Sequence, residues 1–192
     1  MSITQAGNAK EIFTKRRLLG LSTVLSFLGA AFTLAQGQPA QSVYTSVAAR
    51  NCREIKSKAD AEGDYVGRCG GVSGYTLVLA EGDLRQNLTV VTPQKKEHSL
   101  ELWTVVSSQF SNIGNTVEWR IVKRKPAALI LRYNVNHDSE KPEKQTSYLV
   151  VTKITDDEIC VTDKVPSGAK ANAEARRLAD EAVTKPCLKP QQ

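Results

Sequence analysis

Residues 127–136 read AALILRYNVN, and the alternation in that stretch decides the fold. Ala127, Leu129, Leu131, Tyr133 and Val135 fall on one side of an extended chain, while Ile130, Arg132, Asn134 and Asn136 fall largely on the other. Side chains of a strand alternate between faces, so the pattern is that of a strand with one buried and one wet face, as antiparallel sheets have. Upstream, Val117, Trp119 and Ile121 alternate with Glu118, Arg120 and Val122, and Lys123-Arg124-Lys125 before Pro126 reads as a solvated turn joining the two strands. Ser111 to Asn115 is a turn cluster.

The same alternation recurs on both sides. Tyr75 to Ala80 and Leu84 to Val90 predict a hairpin across Glu81-Gly82-Asp83, and Ser147 to Ile154 and Glu158 to Val161 predict another across Asp156-Asp157. Leu100 to Val106 is a candidate strand, with a helical turn as the alternative. Trp103 falls out of phase with its apolar side and is therefore the candidate surface anchor for binding. Lys56 to Gly71 is charged and glycine-bearing and reads as a surface loop. Beyond Pro166-Ser167-Gly168 the period changes. Ala171, Ala175, Leu178 and Ala182 recur at helical spacing within Ala169 to Thr184, with Ser167 as N-cap and Pro186 as the stop. The expected fold is α+β, an antiparallel β-meander of six to seven strands with a packed C-terminal helix.

Ahead of this lies an export signal. Lys15-Arg16-Arg17 precedes an apolar run from Leu18 to Ala35, and small residues at Thr33 and Ala35 satisfy the small-x-small rule for cleavage after Ala35. An uncleaved anchor is the alternative, because about 18 apolar residues is near the lower limit for crossing a bilayer. The organisation expected is a signal peptide over 1–35, an N-terminal linker over 36–50 and a domain over 51–192. The full chain of 192 residues carries a net charge of +6, but the leader holds four basic residues and one acidic, leaving 22 basic against 19 acidic and a net of +3. That balance removes the compositional support for nucleic-acid binding.

The leader contains no cysteine, so Cys52, Cys69, Cys160 and Cys187 all belong to the exported part. An even count outside the cytosol implies disulfides. Three connectivities are open; locality favours Cys52–Cys69 and Cys160–Cys187. A zinc cage would want closely spaced pairs, and here 16 and 26 residues intervene with only His98 and His137 besides, so no metal is expected.

Catalytic signatures are sparse. Gly71-Val72-Ser73-Gly74 lacks the spacing of a nucleophile elbow, and Gly67, Gly70, Gly71 and Gly74 make neither a phosphate loop nor a dinucleotide fingerprint. The acidic residues at 81–83 and 156–158 have turn chemistry rather than calcium-loop spacing. Asn87-Leu88-Thr89 is a formal glycosylation sequon, but it falls inside a predicted strand. Neither a catalytic residue nor a cofactor is assigned.

One resemblance spans most of the exported part. A cysteine at 52 after Tyr44-Thr45-Ser46, then Arg68-Cys69-Gly70-Gly71, Gly74-Tyr75 and Gly82-Asp83-Leu84-Arg85, resembles a group of uncharacterised exported proteins of alphaproteobacteria. Asn115-Thr116-Val117-Glu118-Trp119-Arg120 and the alanine-rich ending before Cys187 are similar to the same group. It implies no activity. The expectation is a periplasmic or secreted, non-catalytic module binding an envelope protein or glycan and touching a membrane only if the leader stays on. The alternative is a small envelope hydrolase using His98 or His137 with acidic loop residues.

Overall fold

In the computed structural model, residues 39–55, 64–138, 140–141 and 144–191 are described, and they lie within one unit, Gly37–Gln192. The expected leader and its expected cleavage site lie outside the described residues, as does part of the charged 56–71 stretch.

Ten strands form one sheet: β1 (Gln41–Ser46), β2 (Arg53–Glu54), β3 (Tyr65–Gly70), β4 (Thr76–Gly82), β5 (Arg85–Val91), β6 (Glu97–Ser99), β7 (Phe110–Val122), β8 (Lys125–Asn136), β9 (Gln145–Ile154) and β10 (Ile159–Pro166). Among the described residues two α-helices accompany them, the single turn α1 (Leu102–Val105) and α2 (Ala171–Asp180). The path runs β10-β9-β8-β7-β5-β4-β3-β2, with β1 on β7 and β6 on β5. The sheet is therefore mostly antiparallel with ten strands, more than the six to seven expected from alternation. β1, β2, β3 and β6 are the additions. They are short or carry little apolar alternation, and what makes them strands is hydrogen bonding to a neighbour already in place.

Two departures from a meander matter. β1 arises inside the stretch expected to be a linker and pairs with β7 from Gln41↔Ile121 to Ser46↔Thr116. The other end of β7 meets β5 in a parallel bridge, Arg85↔Ser111, so one long strand serves two neighbours on one edge. The expected turn at Ser111 to Asn115 is part of this strand. The register with β8 shifts between Ile113 and Val117, and a Cβ at Gly114 would come within 3.0 Å of the Arg132 Cβ. Glycine there admits a bulge that bends the strand rather than ending it.

The sheet curls about a single main core. Leu77 and Leu79 of β4, Leu88 and Val90 of β5, Leu102 and Val105 of α1, Trp119 of β7, Leu129, Leu131 and Tyr133 of β8, Val150 of β9 and Val161 of β10 share it. The face of β8 expected to be wet divides in two. Ala128 and Ile130 are buried with Leu149 and Val151 beneath Ala171, Ala175, Ala179 and Ala182 of the C-terminal segment, while Arg132, Asn134 and Asn136 stay partly open. Alanines let the helix axis lie close to the sheet. Its N-cap is Lys170, without a side-chain cap, rather than Ser167.

Both disulfides take the local pairing, Cys52–Cys69 and Cys160–Cys187. The first ties the short 3₁₀ turn at Ala49–Asn51 and β2 to β3; the second ties the chain after α2 to β10. Two disulfides fit an oxidising extracellular or periplasmic compartment. No helix of the described residues is long and apolar enough to cross a membrane.

Candidate functional site

Trp103 does not sit on a strand. Within the stretch from Leu100 to Val106, Leu102–Val105 forms a helical turn, because Leu102 and Val105 are both drawn into the core and residues three apart share a helical face, not a strand face. Trp103 points the other way and is 47% exposed, against 0% for Trp119. The sequence placed Trp103 at the surface by a strand argument; the helical turn delivers the same exposure by a different geometry.

The turn is pinned from several directions. The Leu102 N–H donates to Asn87 Oδ1 at 3.0 Å, and Asn87 Nδ2 donates to Ser99 Oγ at 2.8 Å. Asn87 of the formal sequon is thus spent holding the start of α1 against β5. Lys164 Nζ of β10 donates to the Val106 carbonyl at 3.2 Å, and the Gln191 N–H donates to the Thr104 carbonyl at 2.8 Å. The C-terminal tail, anchored by Cys160–Cys187 and by Leu188 N–H to Val161 O, therefore reaches the turn that carries Trp103.

Trp103 lines a groove of about 360 Å³ with Ala80 and Gly82 of β4, Asp83 of the tip, and Arg85 and Asn87 of β5. Ala80 pairs with Asn87 and Gly82 with Arg85, so the floor is the outer face of the β4–β5 hairpin. Small residues keep that floor low, and a Cβ at Gly82 would stand 3.3 Å from Asp64 Oδ1. Arg85 lies over the Phe110 ring at 5.3 Å, donates through Nε to the Ser108 carbonyl at 2.9 Å and through Nη1 pairs with the Asp83 carboxylate. A cation over an aromatic face with two fixed nitrogens is a guanidinium held in one plane. The site brings together one apolar plate, a carboxylate, a guanidinium and a shallow floor. Asp83, Arg85 and Asn87 escaped sequence reading because they meet Trp103 only where α1 docks on β5, with Asn87 Oδ1 accepting from the Leu102 N–H.

The remaining candidates separate. Tyr75 borders another groove, of about 390 Å³, with Pro93, Lys125 and Asp156, but its ring is turned toward Trp119 at 6.2 Å and belongs to the core edge. Burial first, and then the Asp156 charge, push its phenol above the usual range. His98 of β6 pairs with Val90 of β5, and burial followed by the Lys96 charge lowers its proton affinity. His137 follows β8 and shares a hydrogen bond of 3.0 Å with Thr146 Oγ1. Among the described residues neither histidine forms an ion pair with a carboxylate. Glu158, Cys160 and Cys187 cluster, but both sulfurs are committed to a disulfide. Lys123 and Arg124 form the β7–β8 tip, exposed and in a turn as expected.

A second polar assembly is structural. Glu118 and Arg120 on the outer face of β7 are buried, and Arg176 and Asp180 of α2 reach them. Arg176 Nε donates to Glu118 Oε1 at 2.7 Å, and Arg120 Nε and Nη2 donate to the two Asp180 oxygens at 2.8 Å each. Ser42 of β1 bonds both Glu118 and Arg120. Two acids and two bases, mutually satisfied, fasten α2 and β1 to the sheet.

Comparison with protein-family models, curated proteins and solved structures finds no match to this chain.

Proposed function

We propose that the protein is an exported, non-catalytic binding module of the bacterial envelope, and that the groove beside Trp103 is where it meets its partner. The observation carrying this reading is a tryptophan 47% exposed on a turn pinned by Asn87, Lys164 and Gln191. A large apolar side chain held rigidly in water gains by being covered, and tryptophan and arginine are the side chains most often found at the energetic centre of interfaces. The two disulfides and the basic, then apolar, N-terminus support export.

The two tryptophans give the test its readout. Trp119 is fully buried, so a collisional quencher of indole fluorescence reports Trp103. The full-length chain, expressed with its own leader, is expected in the envelope fraction, to co-sediment with envelope fragments, and to lose quenching of Trp103 on doing so. Trp103→Ala is expected to keep both disulfides and to weaken co-sedimentation by about tenfold or more, the loss of one central anchor. Equal sedimentation of the two proteins would remove the groove from the function.

A further inference from the structure

We infer that the groove beside Trp103 takes an uncharged pyranose ring bearing adjacent hydroxyls, part of an envelope saccharide. This rests on the binding role proposed above and goes on to name the chemistry of what is bound. A pyranose has one face of C–H bonds and a rim of hydroxyls. The groove offers the matching halves: the indole of Trp103 as an apolar plate, and on the rim the Asp83 carboxylate, a planar acceptor able to engage neighbouring hydroxyls, with the Nη2 group of Arg85 beside it as a donor.

The electrostatics argue against charged ligands. The Arg85 cation is already answered by Asp83, and Asp64 stands across Gly82, so nothing on this rim is left to neutralise an anion. The Asp83 side chain is 80% exposed and can accept from hydroxyls while still facing Arg85. Arg85 uses Nε on Ser108 and Nη1 on Asp83, and Nη2 has no partner among the described residues. The floor argues against a protein anchor. Apart from Trp103 its only apolar side chain is the methyl of Ala80, whereas an anchoring side chain from a protein needs a deep, fully desolvated pocket. An open groove of about 360 Å³ with a flat floor at Ala80 and Gly82 accepts a ring lying down.

Gly82 supplies a test that removes no polar group. It lies on β4 with extended geometry, so valine suits the strand once the exposed Asp64 carboxylate, 3.3 Å from a Cβ at this position, swings aside, and its methyls fill the floor where the ring would rest. The full chain is mixed with envelope fragments in three forms: untreated, protease-digested, and oxidised with periodate, which cleaves adjacent diols. Expected are retained binding to the digested fragments, loss of binding to the oxidised ones, indifference to about 0.5 M sodium chloride, and affinity lowered about tenfold or more in Gly82→Val, with both disulfides and the thermal transition retained. Should Gly82→Val fail to fold, Asp83→Asn, at a tip that tolerates asparagine, serves in its place with the same expected loss. Binding that survives periodate and disappears with protease would overturn the saccharide and leave a protein-binding module standing. Binding lost in salt would overturn it in favour of a charged ligand. Failure of every form to bind would overturn the binding role itself.

Discussion

Leu84 is an odd choice for the tip of a hairpin. Asp83 and Leu84 both adopt the left-handed region, at φ 50° and 56°, and the leucine side chain is 63% exposed. Two-residue hairpins want this conformation because it matches strand twist, but they normally fill it with asparagine and glycine. A side chain with a Cβ costs about 1–2 kcal/mol there. Leu84→Gly is therefore expected to raise stability by about 0.5–1 kcal/mol, the relief of that cost less the extra freedom glycine has in the unfolded chain. A denaturant midpoint unchanged or lowered would mean that the contact of Leu84 beside Phe110, Ser111 and Asn136 outweighs the backbone cost. The β7–β8 tip repeats the device with Lys123 and Arg124, at φ 49° and 67°. There the side chains are polar and solvated, so only the backbone contribution applies. At this scale sequence reading located both turns but not their conformation, since nothing in a leucine or an arginine announces a positive φ.

Among the elements, α2 is attached by two means of different kind. Its alanine stripe buries little area per residue but admits close approach, and the Glu118, Arg120, Arg176 and Asp180 group supplies direction. Burial alone would raise the Glu118 carboxyl, but hydrogen bonds from Arg176 and Ser42 and the charges of Arg176 and Arg120 prevail and hold it below the usual value of 4.5. A carboxylate lowered on folding stabilises the folded chain above its unfolded pKa, and that contribution fades as pH falls through the folded one. The wild type should thus lose stability as pH drops below 4.5. Glu118→Gln is expected to cost about 1–2 kcal/mol at neutral pH, less than a fully buried pair because Arg176 is partly solvated. The difference between the two proteins should shrink toward zero in acid. Urea midpoints measured across pH decide it: parallel curves would show that the group contributes nothing through its charge. The helix was legible from spacing alone. The ion-pair group was not, because Glu118 and Arg120 read simply as the polar phase of a strand until α2 covers them.

For the molecule as a whole, the crosslinks determine how far the pieces hold together. Cys160–Cys187 closes a loop of 27 residues around α2, and the chain beyond it hydrogen-bonds Val161 and then Thr104. Replacing both cysteines with serine is expected to cost about 3 kcal/mol by the chain-entropy argument. It should also speed amide exchange at Leu102 and Val105 beside Trp103, since the tail that braces that turn is released. Global unfolding at lower denaturant with unchanged local exchange would separate the crosslink from the turn.

Alternation in 127–136 and its neighbours was enough to establish a largely antiparallel sheet, because side-chain direction in a strand is a local, chain-bound property. Cysteine count and helical spacing likewise came from the chain itself, as did the pairing by locality. Strand number and neighbour order were decided only by the tertiary fold: β1, β2, β3 and β6 exist as strands because an adjacent edge offers them hydrogen bonds. The groove belongs to the same category. Gly82, Asp83 and Arg85 are brought together by a local hairpin, but Trp103 joins them only because α1 docks on β5 and is braced by Lys164 and Gln191, contacts between distant residues that no local pattern encodes.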